Sequence, residues 1–310
     1  MQKSFTVIGG GSWGTALACL VARATGKSGL YVIENNTVDE INNNHQNKKY
    51  LGDIVLPSGI KATSDITNII SSDVIIIAVP SYAFESTLLQ IKDSGLRKDT
   101  TLLIATKGLC ENPSQLFSDK IEQELDNVYA FISGPNFAKE VAEDKFTSIT
   151  ISSKNIKIAK EIADILKTPN LDVTTSDDII TVQIASIVKN IVAIKSGILQ
   201  ASGFVENAKA WLISNGLQEI SSISKRLGGK AETLCLPAVI GDLLLTCYSV
   251  TSRNTKFGYE FHQNNYSKDF LNNYPILVEG VSSARLLSNF LKAKQIELNL
   301  PIIKSIATII

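Results

Sequence analysis

Histidine and cysteine are scarce in this 310-residue chain, with two histidines at 45 and 262 and four cysteines at 19, 110, 235 and 247. No pair of cysteines has the CxxC spacing and the two histidines stand alone, so neither a zinc site nor a disulfide framework is expected, and the thiols read as reduced and structural. A charge excess of one sign is also missing. Lys plus Arg and Asp plus Glu number 30 each, without a basic block or an acidic tail, which argues against nucleic acid or a charged membrane surface as the main partner. Any anion must be bound by a local arrangement. The start, MQKSFTVIGGG, reaches glycines too soon for a signal-peptide apolar region, so a cytoplasmic protein is expected. One apolar stretch, residues 179–199, approaches the length of a membrane span. Gln183, Lys189, Asn190 and Lys195 punctuate it, and the expectation is a helix buried in protein with no transmembrane segment. Internal repeats and low-complexity linkers are absent.

What remains is a chain with 44% apolar residues, enough for two ordinary cores. Short apolar runs at 5–8, 74–79 and 102–105, with weaker ones at 30–33, 129–132 and 148–152, read as strands. Helical patterns such as 14–24 and 113–125 alternate with them. That alternation predicts an α/β fold, an N-terminal Rossmann-like doubly wound sheet. From about residue 177 the pattern turns to long helical periodicities with glycine breaks near Gly203, Gly216, Gly228 and Gly241, predicting a C-terminal all-helical domain. The expected domains are 1–180 for dinucleotide binding and 181–310 for substrate binding, with the boundary within or just before the Lys189 helix, where domains would meet.

The segment FTVIGGGSWGTALACLVA is a strand, then Gly9, Gly11 and Gly14 in GxGxxG spacing, then a helix. Such glycines permit a tight turn and close approach of a pyrophosphate, and the helix start offers amides to its charge. Glu34, at the end of the next predicted strand, is suited to the ribose hydroxyls of NAD and repels the extra phosphate of NADP; the alternative is a solvated carboxylate. The loops AVPS (78–81) and ATKG (105–108) follow strands and should lie at the ligand-binding edge of the sheet, so Lys107 faces the site unless it is an exposed turn lysine. Ser133, Gly134 and Pro135 precede NFAKEVAE, forming either an oxygen-binding helix start or a plain cap.

Lys189 is the most informative residue of the second half. It interrupts an apolar helix and shares a face with Ala185, Ser186, Ala193, Ser196 and Gly197, all small, which leaves room for a ligand or a closely packed backbone. Desolvation lowers an ammonium pKa and makes it a candidate proton donor or acceptor near neutrality. Asp242 is the expected partner that holds it. Gly241, Asp242 and Thr246, then Ser252, Arg253 and Asn254, gather polar groups, and an Arg beside an Asn suits a phosphate; a surface loop is the alternative.

Together the stretches IGGGSWGTAL, NKKYLGDIVLP, AVPS, ATKG, SGPNFAKEVA, IVKNIVAI, ENAKAWLI, GGKAETL, GDLLLTCYSVTSRN and VEGVSSA resemble the bacterial type of NAD(P)-dependent glycerol-3-phosphate dehydrogenase over nearly the whole length. The resemblance implies reduction of dihydroxyacetone phosphate to sn-glycerol 3-phosphate for glycerophospholipid synthesis, with NAD or NADP, no metal, and a homodimer. It implies that Gly9, Gly11, Ser12, Trp13, Gly14, Glu34, Ala138 and Glu279 meet the cofactor, that Lys107 and Arg253 meet cofactor and substrate, and that Lys189 is the catalytic acid or base. Gly134, Asn136, Lys189, Asp242, Ser252 and Asn254 would complete the substrate site. Glu34 and Asn35 stand where the family usually has an arginine, Asn136 replaces the usual serine, and Val239 stands where a glycine is common. The rivals are another two-domain dehydrogenase, of the ketopantoate reductase or hydroxyacid type, and a silent dinucleotide sensor.

Overall fold

The computed structural model describes residues 3–249 and 251–310. The chain divides into two compact units, Met1–Thr106 with Ser118–Asp177, and Lys107–Phe117 with Asp178–Ile310. Chain order would assign Lys107–Phe117 to the first domain. Leu109 and Leu116 instead bury themselves in the core of the helical unit, so burial of apolar surface overrides sequence proximity.

The first unit is an eight-stranded sheet. Its strands are β1 (Phe5–Ile8), β2 (Ser28–Tyr31), β3 (Ile60–Thr63), β4 (Val74–Ile77), β5 (Thr101–Ile104), β6 (Tyr129–Ser133), β7 (Thr147–Ser152) and β8 (Leu171–Ser176). They lie in the order β3-β2-β1-β4-β5-β6-β7-β8, parallel except where β6 meets β7. The chain runs outward from β1 to β3 and then returns to place β4 against β1. That reversal opens the crevice in which doubly wound sheets bind ligands. Every residue of β1, β4 and β5 is buried, as strands covered by helices on both faces must be.

Two strands were not legible as apolar runs. In β3 (IKAT) a buried Ile60 alternates with exposed Lys61, and β8 (LDVTTS) buries only its end residues. Both are edge strands, where one side is solvated and the continuous apolar signature is lost. The expected strand at 30–33 is shifted to β2, since Ile33 is 80% exposed.

The helices of this unit are α1 (Ser12–Thr25), α2 (Asn35–Asn44), α3 (Lys48–Leu51), α4 (Phe84–Asp93), α5 (Phe117–Glu124), α6 (Ala138–Ala142) and α7 (Ile156–Leu166). The helix expected over 113–125 is only α5. Ahead of it Cys110 donates its amide to the Gln115 carbonyl at 3.0 Å and closes a turn instead.

The second unit is built from α8 (Ile179–Ala201), α9 (Glu206–Arg226), α10 (Asp242–Tyr248), α11 (Arg253–Gln263), α12 (Lys268–Asn272), α13 (Glu279–Ala293) and α14 (Pro301–Ile309). Asp178 starts α8 by accepting the Thr181 amide at 2.9 Å, an N-cap that satisfies an otherwise orphan donor. By length and composition α8 could cross a membrane, but most of it is buried among the surrounding helices. Its small face is filled by protein backbone. A Cβ on Gly197 would lie 1.9 Å from the Thr255 carbonyl oxygen of α11, and one on Gly258 would lie 2.0 Å from that of Ile194 in α8.

Gly203 and Gly228 follow the ends of α8 and α9 with φ of 81° and 90°. Gly216 and Gly241 do not break the chain. Gly216 lies inside α9, where a Cβ would press within about 3 Å of the Val192 methyls, and Gly241 closes a π turn, Pro237–Gly241, that runs directly into α10. Overpacking of a close helix crossing costs about 1–3 kcal/mol. Gly258→Ala is therefore expected to lower unfolding stability by at least that much, measured by urea denaturation; an unchanged midpoint would contradict the close crossing.

Candidate active site

Lys189 is buried in the middle of α8, and its Nζ lies 2.5 Å from Oδ1 of Asp242 and 3.3 Å from Oγ1 of Thr246. Asp242, the first residue of α10, is only 2% exposed. Its other oxygen, Oδ2, accepts from Nζ of Lys107 at 2.9 Å. Thr246, one turn on, returns its hydroxyl to the Asp242 carbonyl at 2.6 Å. One buried carboxylate thus holds two ammonium groups, all within the second unit.

The electrostatics follow from that geometry. Burial pushes the Lys189 ammonium down to about 7, the attraction of Asp242 opposing this and the repulsion of Lys107 adding to it. For Asp242, burial works against the charged form, but Lys107 and Lys189 together outweigh it and hold the carboxyl below its ordinary range. Burial also pushes the Cys247 thiol up to about 12, so this nearby sulfur stays protonated and is no nucleophile. None of the four cysteines forms a disulfide.

The Ser252-Arg253-Asn254 segment begins α11. Ser252 caps that helix, its Oγ accepting the Thr255 amide at 3.3 Å. Asn254 donates from Nδ2 to Oδ1 of Asn190 at 3.0 Å and accepts the Gly280 amide at 2.9 Å, so its carboxamide ties α8, α11 and α13 together. Arg253 is exposed. Glu279 is half-buried at the start of α13. Sequence reasoning missed Asn190, whose only signal was its place beside Lys189.

In the first unit Gly9, Gly11 and Gly14 form the turn from β1 into α1. Gly9 has φ 120°, and a Cβ there would strike the Ala78 carbonyl at 2.5 Å; one on Gly14 would meet the Gly9 oxygen at 1.9 Å. A Cβ on Gly11 would meet nothing within 4 Å. Two of these glycines are required by packing, while the third faces open space. Gly11 has no side chain to cap α1, whose first turn carries no acidic residue, so that turn has no side-chain acceptor of its own and suits an anion. The indole Nε1 of Trp13 and Oδ1 of Asn136 are buried without a hydrogen-bond partner. The open space at Gly11, the uncapped start of α1 and the unpartnered Nε1 of Trp13 fit a dinucleotide.

Glu34 is exposed and follows β2, with Lys49 Nζ 3.2 Å and the Tyr50 hydroxyl 3.4 Å from its Oε1. The Lys49 hydrogen bond holds its carboxyl below the usual range. At Gly134 a Cβ would meet the Ser148 carbonyl at 2.3 Å, and Asn136 donates to Thr147 Oγ1 at 2.6 Å and the Ser148 carbonyl at 3.0 Å. The helix expected directly after Ser133-Gly134-Pro135 starts later, at Ala138, and spans only five residues. No group of three or more His, Cys, Asp or Glu suited to a metal occurs among the described residues.

Residues 4–159 match the family described as the NAD-dependent glycerol-3-phosphate dehydrogenase N-terminus, and residues 178–310 match the corresponding C-terminus. The chain belongs to this family. Among its relatives, the glycerol-3-phosphate dehydrogenase [NAD(P)+] of Rickettsia typhi is 45% identical over 99% of this chain and 97% of its own length. The crystal structure of glycerol-3-phosphate dehydrogenase from Coxiella burnetii matches with a TM-score of 0.91 at 32% identity, over 99% of this chain and 94% of that one. A ketopantoate reductase from Ralstonia eutropha, the type of enzyme that rivals this reading, shares the fold alone. Its TM-score is 0.59 at 15% identity, over 98% of this chain and 96% of that one.

Removing one partner of a buried ion pair leaves an uncompensated charge and costs about 3–5 kcal/mol. Asp242→Asn is expected to lose stability near the low end of that range at neutral pH, because Lys189 can shed its proton; equilibrium unfolding checks this, and a loss below about 1 kcal/mol would contradict the arrangement.

Proposed function

We propose that the chain reduces dihydroxyacetone phosphate to sn-glycerol 3-phosphate with NADH or NADPH, and runs the reverse oxidation, supplying glycerophospholipid synthesis. The observation that carries the reading is the buried Asp242 carboxylate held between Lys107 and the buried Lys189, where burial lowers the lysine toward neutrality. When bound, the nicotinamide supplies hydride to the C2 carbonyl carbon. Lys189, as ammonium, gives a proton from Nζ to the carbonyl oxygen as negative charge develops there. An ammonium has three N–H donors. Asp242 takes one and Thr246 Oγ1 a second, which leaves a third for the substrate. In the oxidation the neutral amine accepts the proton.

Lys107 adds positive charge for the developing alkoxide, its own position set by Asp242, and such preorganised charge is worth more in a site that excludes water. Arg253 presents an exposed guanidinium to the substrate phosphate and the cofactor, while Ser252 and Asn254 position it by capping and tethering α11. In the same reading Gly9, Gly11, Ser12, Trp13, Gly14, Glu34, Lys107, Ala138 and Glu279 hold the cofactor. Gly134 and Asn136 touch the substrate.

Because kcat/KM reports groups of the free enzyme, the efficiency of ketone reduction is expected to fall as pH rises through about 7, where Lys189 loses its proton. The efficiency of alcohol oxidation rises over the same interval. Lys189→Ala should abolish this dependence and lower kcat by about 100-fold or more with the fold intact, whereas Arg253→Ala should chiefly raise KM. Unimpaired turnover in Lys189→Ala would sink the assignment.

A cytoplasmic location and a homodimer complete the proposal. Exposed apolar side chains on the second unit, including Phe204, Val205, Trp211, Leu244 and Tyr248, support self-association. Light scattering of the purified protein is expected to give twice the 33.6 kDa chain mass; a monomer at all concentrations counts against it.

A further inference from the structure

The segment that carries Lys49 is fastened to the glycine turn. Asn47 is fully buried and donates from Nδ2 to the Gly10 carbonyl at 2.9 Å and to Thr15 Oγ1 at 2.8 Å. From the other side Ser12 Oγ donates to the Tyr50 carbonyl at 3.0 Å. The backbone of α3 is therefore referenced to the start of α1, where the phosphates of a dinucleotide belong.

This fastening brings two side chains to one carboxylate. Lys49 and Tyr50 both reach Oε1 of Glu34, and the Lys49 ammonium lies over the Tyr50 ring, 4.9 Å from its centroid. Glu34 follows β2, the position from which an acidic residue meets the ribose hydroxyls of NAD and repels the 2′-phosphate of NADP. A bare carboxylate there would enforce NAD. Here a cation answers it. The pair is exposed on both sides, with 60% of the Lys49 side chain and 45% of the Glu34 side chain accessible, and exposed pairs are held weakly. The ammonium sits on a four-carbon stem and can change partners without disturbing the backbone.

We propose that Lys49 is a specificity-determining residue, screening Glu34 when the ribose carries free hydroxyls and turning to the phosphate when it carries a 2′-phosphate, so that one site accepts both dinucleotides. Tyr50 keeps the ammonium at hand in either state through its ring and hydroxyl. The inference rests on the dinucleotide site of the proposed function and adds to it the residue that decides between the two cofactors.

Equilibrium binding of NADH and of NADPH, read from cofactor fluorescence without substrate, tests it on wild type, Lys49→Ala and Glu34→Gln. Wild type is expected to bind both. Lys49→Ala should weaken NADPH by about tenfold or more and NADH by less than about threefold, and Glu34→Gln should favour NADPH by a similar factor, each being the loss or gain of a charge beside a phosphate. An unchanged ratio of the two dissociation constants in Lys49→Ala, or a wild type that rejects NADPH, would overturn the role of Lys49. A wild type that binds neither dinucleotide would instead overturn the cofactor reading beneath it. Lys49 is exposed, so loss of folding does not confuse the result; a matching thermal melt of the variant verifies that.

Discussion

A single carboxylate buried between two lysines organises the helical unit. Asp242 is nearly inaccessible, and desolvation of a charge on that scale is tolerated only when partners answer it. Lys107 and Lys189 do so from two directions, and the first of them reaches it because the segment Lys107–Phe117 packs with the helices rather than with the sheet. Two cations on one anion leave a net positive charge. Burial keeps the Lys189 ammonium far below the ordinary lysine range, Asp242 opposing that shift and Lys107 adding to it. Buried ion pairs add little net stability compared with apolar packing, so the reason for this one is chemical.

The rest of the unit is arranged around it with little slack. α8 is apolar on nearly all sides and carries the lysine at its centre. Gly197 and Gly258 let α11 approach α8 until backbone meets backbone, and the Asn190–Asn254–Gly280 chain of hydrogen bonds fixes α11 and α13 against it. Ser252 and Asn254 take part in this framework, and Arg253 between them is exposed. In the sheet unit the division of labour is similar. Gly9 and Gly14 are demanded by close packing, and of the three motif glycines it is Gly11 that faces open space.

Much of this was legible in the amino-acid sequence because the physical signals were local and strong. The interior strands β1, β4 and β5 are continuous apolar runs, the glycine turn has a strand before it and a helix after it, and a lysine inside an apolar helix is a conspicuous violation of patterning. The Lys189–Asp242 pairing followed from charge alone. The edge strands β3 and β8 escaped because half of each is solvated. Gly216 was misread as a break because a glycine that lets another helix approach looks the same in sequence as one that ends a helix. The tether from Asn47 to the glycine turn was invisible for a different reason: it joins residues more than thirty positions apart, and no periodicity announces it. The segment Lys107–Phe117 likewise changes units for the sake of two buried leucines.

The central claim is that Lys189 titrates near neutrality because of where it is buried and what it touches. Carbon-13 labelling of the lysine side chains and an NMR pH titration would report it directly in the free protein. The account predicts one lysine resonance moving with a midpoint near 7 that disappears in Lys189→Met. A spectrum in which no lysine titrates near neutrality would contradict it.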